Sequence, residues 1–244
     1  MAQTEKAVIE LQDGVLETLA PLSGDDCVLT GGTALVRFHG FLHRLSDDLD
    51  LFLFAPDEDR IRDWFRELAE KGLHVEVLGR SDPPALFGLH CLVSRPGSPQ
   101  AVRVDFVEDP FSGAWLPLWM RARDTGVRFR VDPLEAILHK KLYAVYSCAM
   151  RNEPPRTKDI VDLYVLFRDV FDLETVRKFY RDARDIALPL ETVLKIVSDA
   201  NLDPEEIRAR EPDLLERTQQ WQEELKKRPA FPSLGPAPGD LRPK

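Results

Sequence analysis

Cysteine is scarce in this sequence: Cys27, Cys91 and Cys148 are the three present, widely separated and without a CxxC pair. An odd, scattered set makes neither a disulfide framework nor a zinc site, and it suits a reducing compartment. No apolar run approaches the roughly 18–20 residues that a membrane-spanning helix needs. Residues Met1 to Glu10 are of mixed charge and lack the apolar centre of an export signal, so a cytoplasmic protein with no membrane partner is expected. No GxxxxGK followed by Ser or Thr occurs, which excludes a P-loop. Positive charge is not in excess either. The formal net charge is -9, which argues against a protein that coats nucleic acid nonspecifically. From Trp115 to Asp159, however, nine basic residues stand against five acidic ones. That stretch suits contact with polyphosphate or RNA, and it suits an ordinary solvated surface equally well.

What is present is a chain of 244 residues, 43% hydrophobic and 31% charged, enough for one large domain or two small ones with a proper core. Apolar residues at Val8, Leu11, Val15, Leu16 and Leu19 recur with helical spacing. Cys27 to Leu29 reads as a short strand running into Gly31-Gly32, followed by a short helix over Thr33 to Phe38. A second strand covers Leu49 to Phe54, and an amphipathic helix runs from Asp57 to Lys71 with Gly72 closing it. Strand-like runs follow at His74–Leu78, Leu86–Ser94, Ala101–Val107 and Val127–Val131, with Pro96-Gly97-Ser98-Pro99 as a hairpin connection. After Asp132-Pro133 the pattern turns to helices: 134–150, 158–170, 174–184, 191–200 and 212–227. The expected fold is α+β: a mixed sheet with flanking helices over residues 1–131, then a helical bundle over 132–228. The proline-rich segment 229–244 reads as a disordered tail.

The most informative stretch joins Leu29-Thr30-Gly31-Gly32-Thr33 to His43-Arg44-Leu45-Ser46-Asp47-Asp48-Leu49-Asp50-Leu51-Phe52. Alternate residues of a strand share a face, so Asp48 and Asp50 point one way while Leu49 and Leu51 point into the core. Two carboxylates on one face repel unless a cation lies between them, and magnesium takes carboxylate and phosphate oxygens together. A glycine pair after a strand lets backbone N–H groups approach a phosphate closely, and Thr33 offers a hydroxyl beside them. Either feature alone reads as a turn or a solvated strand start; together they read as a site. A two-metal displacement calls for a third carboxylate. Asp105, alone in the apolar run Val104-Asp105-Phe106-Val107, is the candidate, with a sheet edge facing water as the other reading. His39 and His43 read as structural residues. Trp115 and Trp119, near Arg121 and Arg123, suit packing and also suit stacking on a base.

The string Gly31-Gly32-Thr33-Ala34-Leu35 with His43-Arg44-Leu45-Ser46-x-Asp48-Leu49-Asp50-Leu51-Phe52 resembles the AbiEii/AbiGii-type nucleotidyltransferase toxins of the DNA polymerase β-like superfamily. Ile137-Leu138-His139-Lys140-Lys141-Leu142-Tyr143-Ala144 is similar to that family's lysine helix. Arg156-Thr157-Lys158-Asp159-Ile160-Val161-Asp162-Leu163-Tyr164 is similar to its later acidic helix. The resemblance spans about Val28 to Phe167. It implies that Gly31, Gly32 and Thr33 cradle a triphosphate and that Asp48, Asp50 and Asp105 hold two magnesium ions. Arg44 and Ser46 are placed beside the nucleotide. Lys141 would reach its phosphates, with Lys140 the competing choice, since the register of the pair is open by one. Asp159 would orient that lysine, and Asp162 would support the helix.

The function expected is magnesium-dependent transfer of a nucleoside monophosphate from an NTP to an acceptor. The family resemblance implies the toxin of a bacterial toxin–antitoxin or phage-defence pair, with tRNA as acceptor and a cognate antitoxin as partner. Two rivals stand beside it: an enzyme that nucleotidylates a partner protein, and a nucleotide-binding protein without turnover.

Overall fold

The structure, a computed structural model, describes residues 2–81, 86–182 and 188–228. The expected tail therefore lies outside the described residues. The fold is α+β, a mixed seven-stranded sheet with helices followed by further helices. The described residues form two compact units: the chain up to Lys141 with Ile207–Pro212, and Leu142–Glu206 with Asp213–Arg228.

In the first unit, α1 (Ala2–Ser23) leads to β1 (Cys27–Thr30), then to α2 (Gly31–Thr33), which passes into a π-helical segment over Ala34–His39. β2 (Asp48–Leu53), α3 (Glu58–Glu70), β3 (His74–Ser81), β4 (Gly88–Ser94), β5 (Ala101–Glu108), β6 (Leu118–Arg121) and β7 (Arg128–Val131) follow. The sheet order is β3-β4-β5-β2-β1-β7-β6. β2 lies at its centre, antiparallel to β1 and parallel to β5. The β4–β5 hairpin expected around the Pro96–Pro99 turn is present, pairing Ser94 with Ala101.

Local chemistry explains these boundaries. Asp57 caps α3 by accepting from the N–H groups of Asp59 (3.0 Å) and Arg60 (3.3 Å). Gly72 ends the helix in the left-handed region at φ 75°, where glycine is favoured. The core sits on one face of the sheet. Leu49, Leu51 and Leu53 of β2 and Val102, Val104 and Phe106 of β5 are buried with Leu11, Val15, Leu16 and Leu19 of α1. Trp64 of α3 lies 5.9 Å from the Phe106 ring. The three cysteines are buried and free; burial pushes the Cys91 thiol up to about 12, which keeps it inert.

α4 (Leu134–Met150) runs from the first unit into the second, which continues through α5 (Thr157–Asp169), α6 (Leu173–Asp182), α7 (Leu190–Asp199) and α8 (Leu214–Lys227). α8 is tied to the end of α7 by Gln222, whose Nε2 donates to the carbonyls of Val197 (2.7 Å) and Ala200 (3.0 Å). Trp221 of α8 packs on Tyr164 and Phe167 of α5. Among the described residues no helix is long and apolar enough to cross a membrane.

Candidate active site

β2 alternates as the sequence predicts: Leu49, Leu51 and Leu53 are buried, while Asp48, Asp50 and Phe52 are partly exposed on the other face. The neighbouring strands complete that face. β5 sets Arg103 beside Asp48 and Asp105 beside Asp50, β4 sets His90 beside Asp105, and β1 sets Thr30 beside Asp50. Residues in register across a sheet share a face. Thr30, Asp50, Asp105 and His90 therefore form one row across four strands, with Asp48 and Arg103 in the row next to it. The three expected carboxylates are on the same face.

Their environments differ. Arg103 Nε donates to both oxygens of Asp105, at 2.9 and 3.0 Å, and His90 Nδ1 lies 3.0 Å from Oδ1. The Arg103 guanidinium is held above its ordinary range, first by the hydrogen bond to Asp105 and also by the charges of Asp48 and Asp50. Arg103 is thus an internal counter-charge for the acidic face.

The glycine pair makes room for this face. Gly31 has φ 70°, a left-handed conformation, and a Cβ there would fall 2.0 Å from Asp50 Oδ2. A Cβ on Gly32 would meet Arg44 Nη2 at 2.3 Å and Ser46 Oγ at 2.7 Å. Asp50, Arg44 and Ser46 thus all lie against the glycine backbone. Thr33, 1% exposed, donates to the Asp48 carbonyl and lies 3.0 Å from Ser46 Oγ, and Ser46 Oγ is 3.2 Å from Asp48 Oδ1. Arg44 is buried and donates to the Leu45 carbonyl at 2.8 Å. His43 is buried and His39 bonds the Asp132 carbonyl, both structural placements.

One residue that the motifs do not contain holds this loop from behind. Gln12 of α1 is fully buried, and its Nε2 donates to the carbonyls of Ser46 (3.1 Å) and Asp48 (3.4 Å). Its Oε1 accepts from Arg37 Nη1 at 3.1 Å. Arg37, itself buried, is ion-paired to Asp13 (2.6 Å) and Asp124 (2.8 Å). The sequence carried a signal for it: Gln12 is a polar residue set between Leu11 and Val15 on the apolar stripe of α1. His90 was legible only through the register of β4 on β5.

The lysine pair of α4 divides. Lys140 Nζ contacts Asp132 (2.7 Å) and Asp109 (2.9 Å) and lies 4.2 Å from the Phe52 ring centroid, so its charge is taken up by two buried carboxylates. Asp132, whose position marks it as a helix cap, turns its carboxylate to Lys140 instead. Burial pushes that carboxyl up and Lys140 opposes the shift. His139 packs edge-on against Phe111 at 4.3 Å, and burial lowers its pKa to about 4, with Lys140 adding to the shift. Lys141 is buried at the end of the first unit. In the second unit, Asp159 and Asp162 are buried on α5, and Asp159 Oδ2 accepts from Arg156 Nε at 2.8 Å. Lys141 belongs to the first unit and Asp159 to the second.

Magnesium takes hard oxygen donors. Asp48 and Asp50 supply them from one face of β2, and Asp50 occupies the space that a Cβ at Gly31 would fill. Among the described residues no group of three or more His, Cys, Asp and Glu side chains is arranged to hold a metal. Asp105, the third carboxylate of the face, is engaged by Arg103. The donor chemistry of the face fits a divalent cation, with Asp48 and Asp50 as the ready pair.

No curated relative matches the sequence. Among solved structures the chain is similar to JHP933 from Helicobacter pylori, with a TM-score of 0.53, 16% identity and 93% of each chain covered. It is also similar to a candidate nucleotidyltransferase from H. pylori, with a TM-score of 0.52 and 17% identity over 90% of this chain and 95% of that one. At such identities the likeness speaks to the fold alone. The family described as nucleotidyl transferase AbiEii toxin, type IV toxin–antitoxin system, matches residues 15–238. That match covers most of the chain, and the chain belongs to the AbiEii nucleotidyl transferase toxins.

Proposed function

We propose that this toxin moves a nucleoside monophosphate from an NTP onto an RNA, with tRNA as the acceptor, and that it uses magnesium to do so. The observation that carries the reading is the face that holds Asp48 and the register pair Asp50–Asp105, with Asp50 against Gly31. Magnesium bound at Asp48 and Asp50 would supply charge neutralisation at the α-phosphate and polarise the acceptor hydroxyl. The chain's own groups do the rest. The backbone at Gly31-Gly32, with Arg44 and Ser46 against it, receives the phosphates, and Lys141 reaches them from α4 as a point charge. Asp162 supports α5. The acceptor oxygen attacks the α-phosphorus, and the bond to the bridging oxygen breaks with pyrophosphate leaving. The hydroxyl proton passes to Asp105 once its carboxylate has left Arg103.

An RNA acceptor is supported by Trp119 on the edge strand β6, a residue 47% exposed with the Arg128 guanidinium 4.9 Å from its ring centroid. An aromatic face backed by arginine suits base stacking. The cognate antitoxin that a type IV system implies is the expected protein partner. The test is incubation of the purified protein with total tRNA, magnesium and each labelled NTP in turn, beside Asp48→Ala and Asp50→Ala. Label on RNA with one nucleotide, absent from both variants, is the expected result. Unimpaired transfer by Asp50→Ala sinks the assignment, and label on protein instead of RNA moves the acceptor.

A further inference from the structure

The loop from Gly40 to Asp47 has no strand of its own, yet it carries Arg44 and Ser46 to the glycine pair. Two sets of contacts hold it. Gln12 and Thr33 bond the carbonyls of Ser46 and Asp48 at the end that enters β2. The other end, His43 to Leu45, is held by a segment distant in sequence. The Leu45 N–H donates to the Arg208 carbonyl at 2.9 Å, and the N–H groups of Arg210 (2.8 Å) and Glu211 (3.2 Å) donate to the His43 carbonyl. Arg44 and Ala209 form an antiparallel bridge between these bonds. Side chains reinforce the pairing: Arg208 pairs with Asp47 at 3.3 Å, and Arg210 pairs with Glu5 of α1.

We infer that residues 207–212 are a positioning strap that fixes the nucleotide-side loop, so that Arg44 and Ser46 are pre-set against Gly32 before nucleotide arrives. The inference rests on reading that loop as nucleotide-binding. A connecting loop is normally exposed and mobile, whereas His43 and Arg44 are 0% and 4% exposed. The backbone pairing supplies the order that the loop's own sequence cannot. Residues 207–212 belong to the first unit although the chain on both sides of them belongs to the second. The segment just before them bonds α5: the Asp203 N–H donates to Thr157 Oγ1 at 2.8 Å, and Glu206 accepts from the Thr157 N–H. The strap brings no group to the reacting atoms; its residues position others.

The experiment compares full-length Arg210→Pro, which removes the N–H donor to His43, with Arg210→Ala, which keeps that donor and removes only the Glu5 pair. Hydrogen exchange and nucleotide kinetics are both read. In Arg210→Pro, the amides of 43–46 should exchange faster while those of β2 and β5 are unchanged. KM for the nucleotide should rise about tenfold at near-constant kcat, the factor that loss of one typical backbone hydrogen bond gives. Arg210→Ala should stay within about twofold of the unsubstituted protein on both readouts. Unchanged exchange at 43–46 overturns the strap, and so does faster exchange at β2 and β5 alike, which would mark general unfolding. If the unsubstituted protein transfers no nucleotide, the proposed function fails, and the exchange comparison still decides the strap.

Discussion

Gly31→Ala tests the link between the glycine pair and the carboxylates most directly. The new Cβ would lie 2.0 Å from Asp50 Oδ2 and 2.9 Å from its Cγ. Nonbonded carbons settle at about 3.5–4.0 Å, so the carboxylate has to retreat by at least about 1 Å. The φ of 70° adds about 1–2 kcal/mol of backbone strain for any residue with a Cβ. For a chain of this size, that strain corresponds to a melting shift of about 2–8 °C. Misplacing a reacting group by about 1 Å costs on the order of 10²-fold in rate. The expected outcome is a folded protein with a modestly lower melting temperature and about a hundredfold slower transfer, measured as initial rates of label incorporation beside a thermal melt. Gly32→Ala should behave differently. Its Cβ would displace Arg44 and Ser46, so the loss should appear in KM for the nucleotide. A Gly31→Ala protein that keeps transfer within about fivefold of the original would refute the argument that Asp50 needs that space.

Three further outcomes follow from named contacts. Lys140→Met leaves Asp109 and Asp132 buried without their cation and should destabilise by about 3–5 kcal/mol; Lys141→Met should instead lose transfer at least about a hundredfold. Melts and rates on the two variants check the division, and the reverse pattern would exchange their roles. Gln12→Leu strands Arg37 Nη1 and the Ser46 carbonyl, at about 1–3 kcal/mol per buried group, and a melting temperature within 2 °C of the original would contradict it. His139, lowered to about 4 in the fold from an ordinary 6.5, contributes stability that is fully present above pH 6.5 and is lost as pH falls toward 4. About 1–2 kcal/mol should be missing at pH 5, and His139→Gln should flatten the melting temperature between pH 7.5 and 5.

The sheet was legible wherever burial imposes a period. β2 showed its alternation in Asp48-Leu49-Asp50-Leu51, and β4 and β5 showed theirs around the Pro96–Pro99 turn, each within two residues of the observed ends. β6 was missed because Leu118, Trp119 and Arg121 are all exposed on an edge strand, so no alternation marks it. α1 runs past the last residue of its apolar stripe, Leu19, through Pro21 to Ser23. The juxtaposition of Asp50 with Asp105 was within reach once both strands were placed, although their parallel pairing was not, since nothing local fixes which strands are neighbours. Arg103 was visible only as part of a strand; its bond to Asp105 comes from two residues on the same face of one strand. The strap carried no signal, because an isolated backbone pairing between distant segments depends on neither side chain.

The alternation of β2 has a consequence for how the toxin is made. The residues that bury the strand and the residues that would do chemistry are interleaved one for one, and β2 is paired on both sides. A slip of one position would put Asp48 and Asp50 into the apolar layer and leave Leu49 and Leu51 in water. No stable misassembly can keep the site and lose the core, or the reverse. Folding of the central strand is thereby its own inspection step: a newly made molecule becomes dangerous to its host only once its sheet is correctly registered.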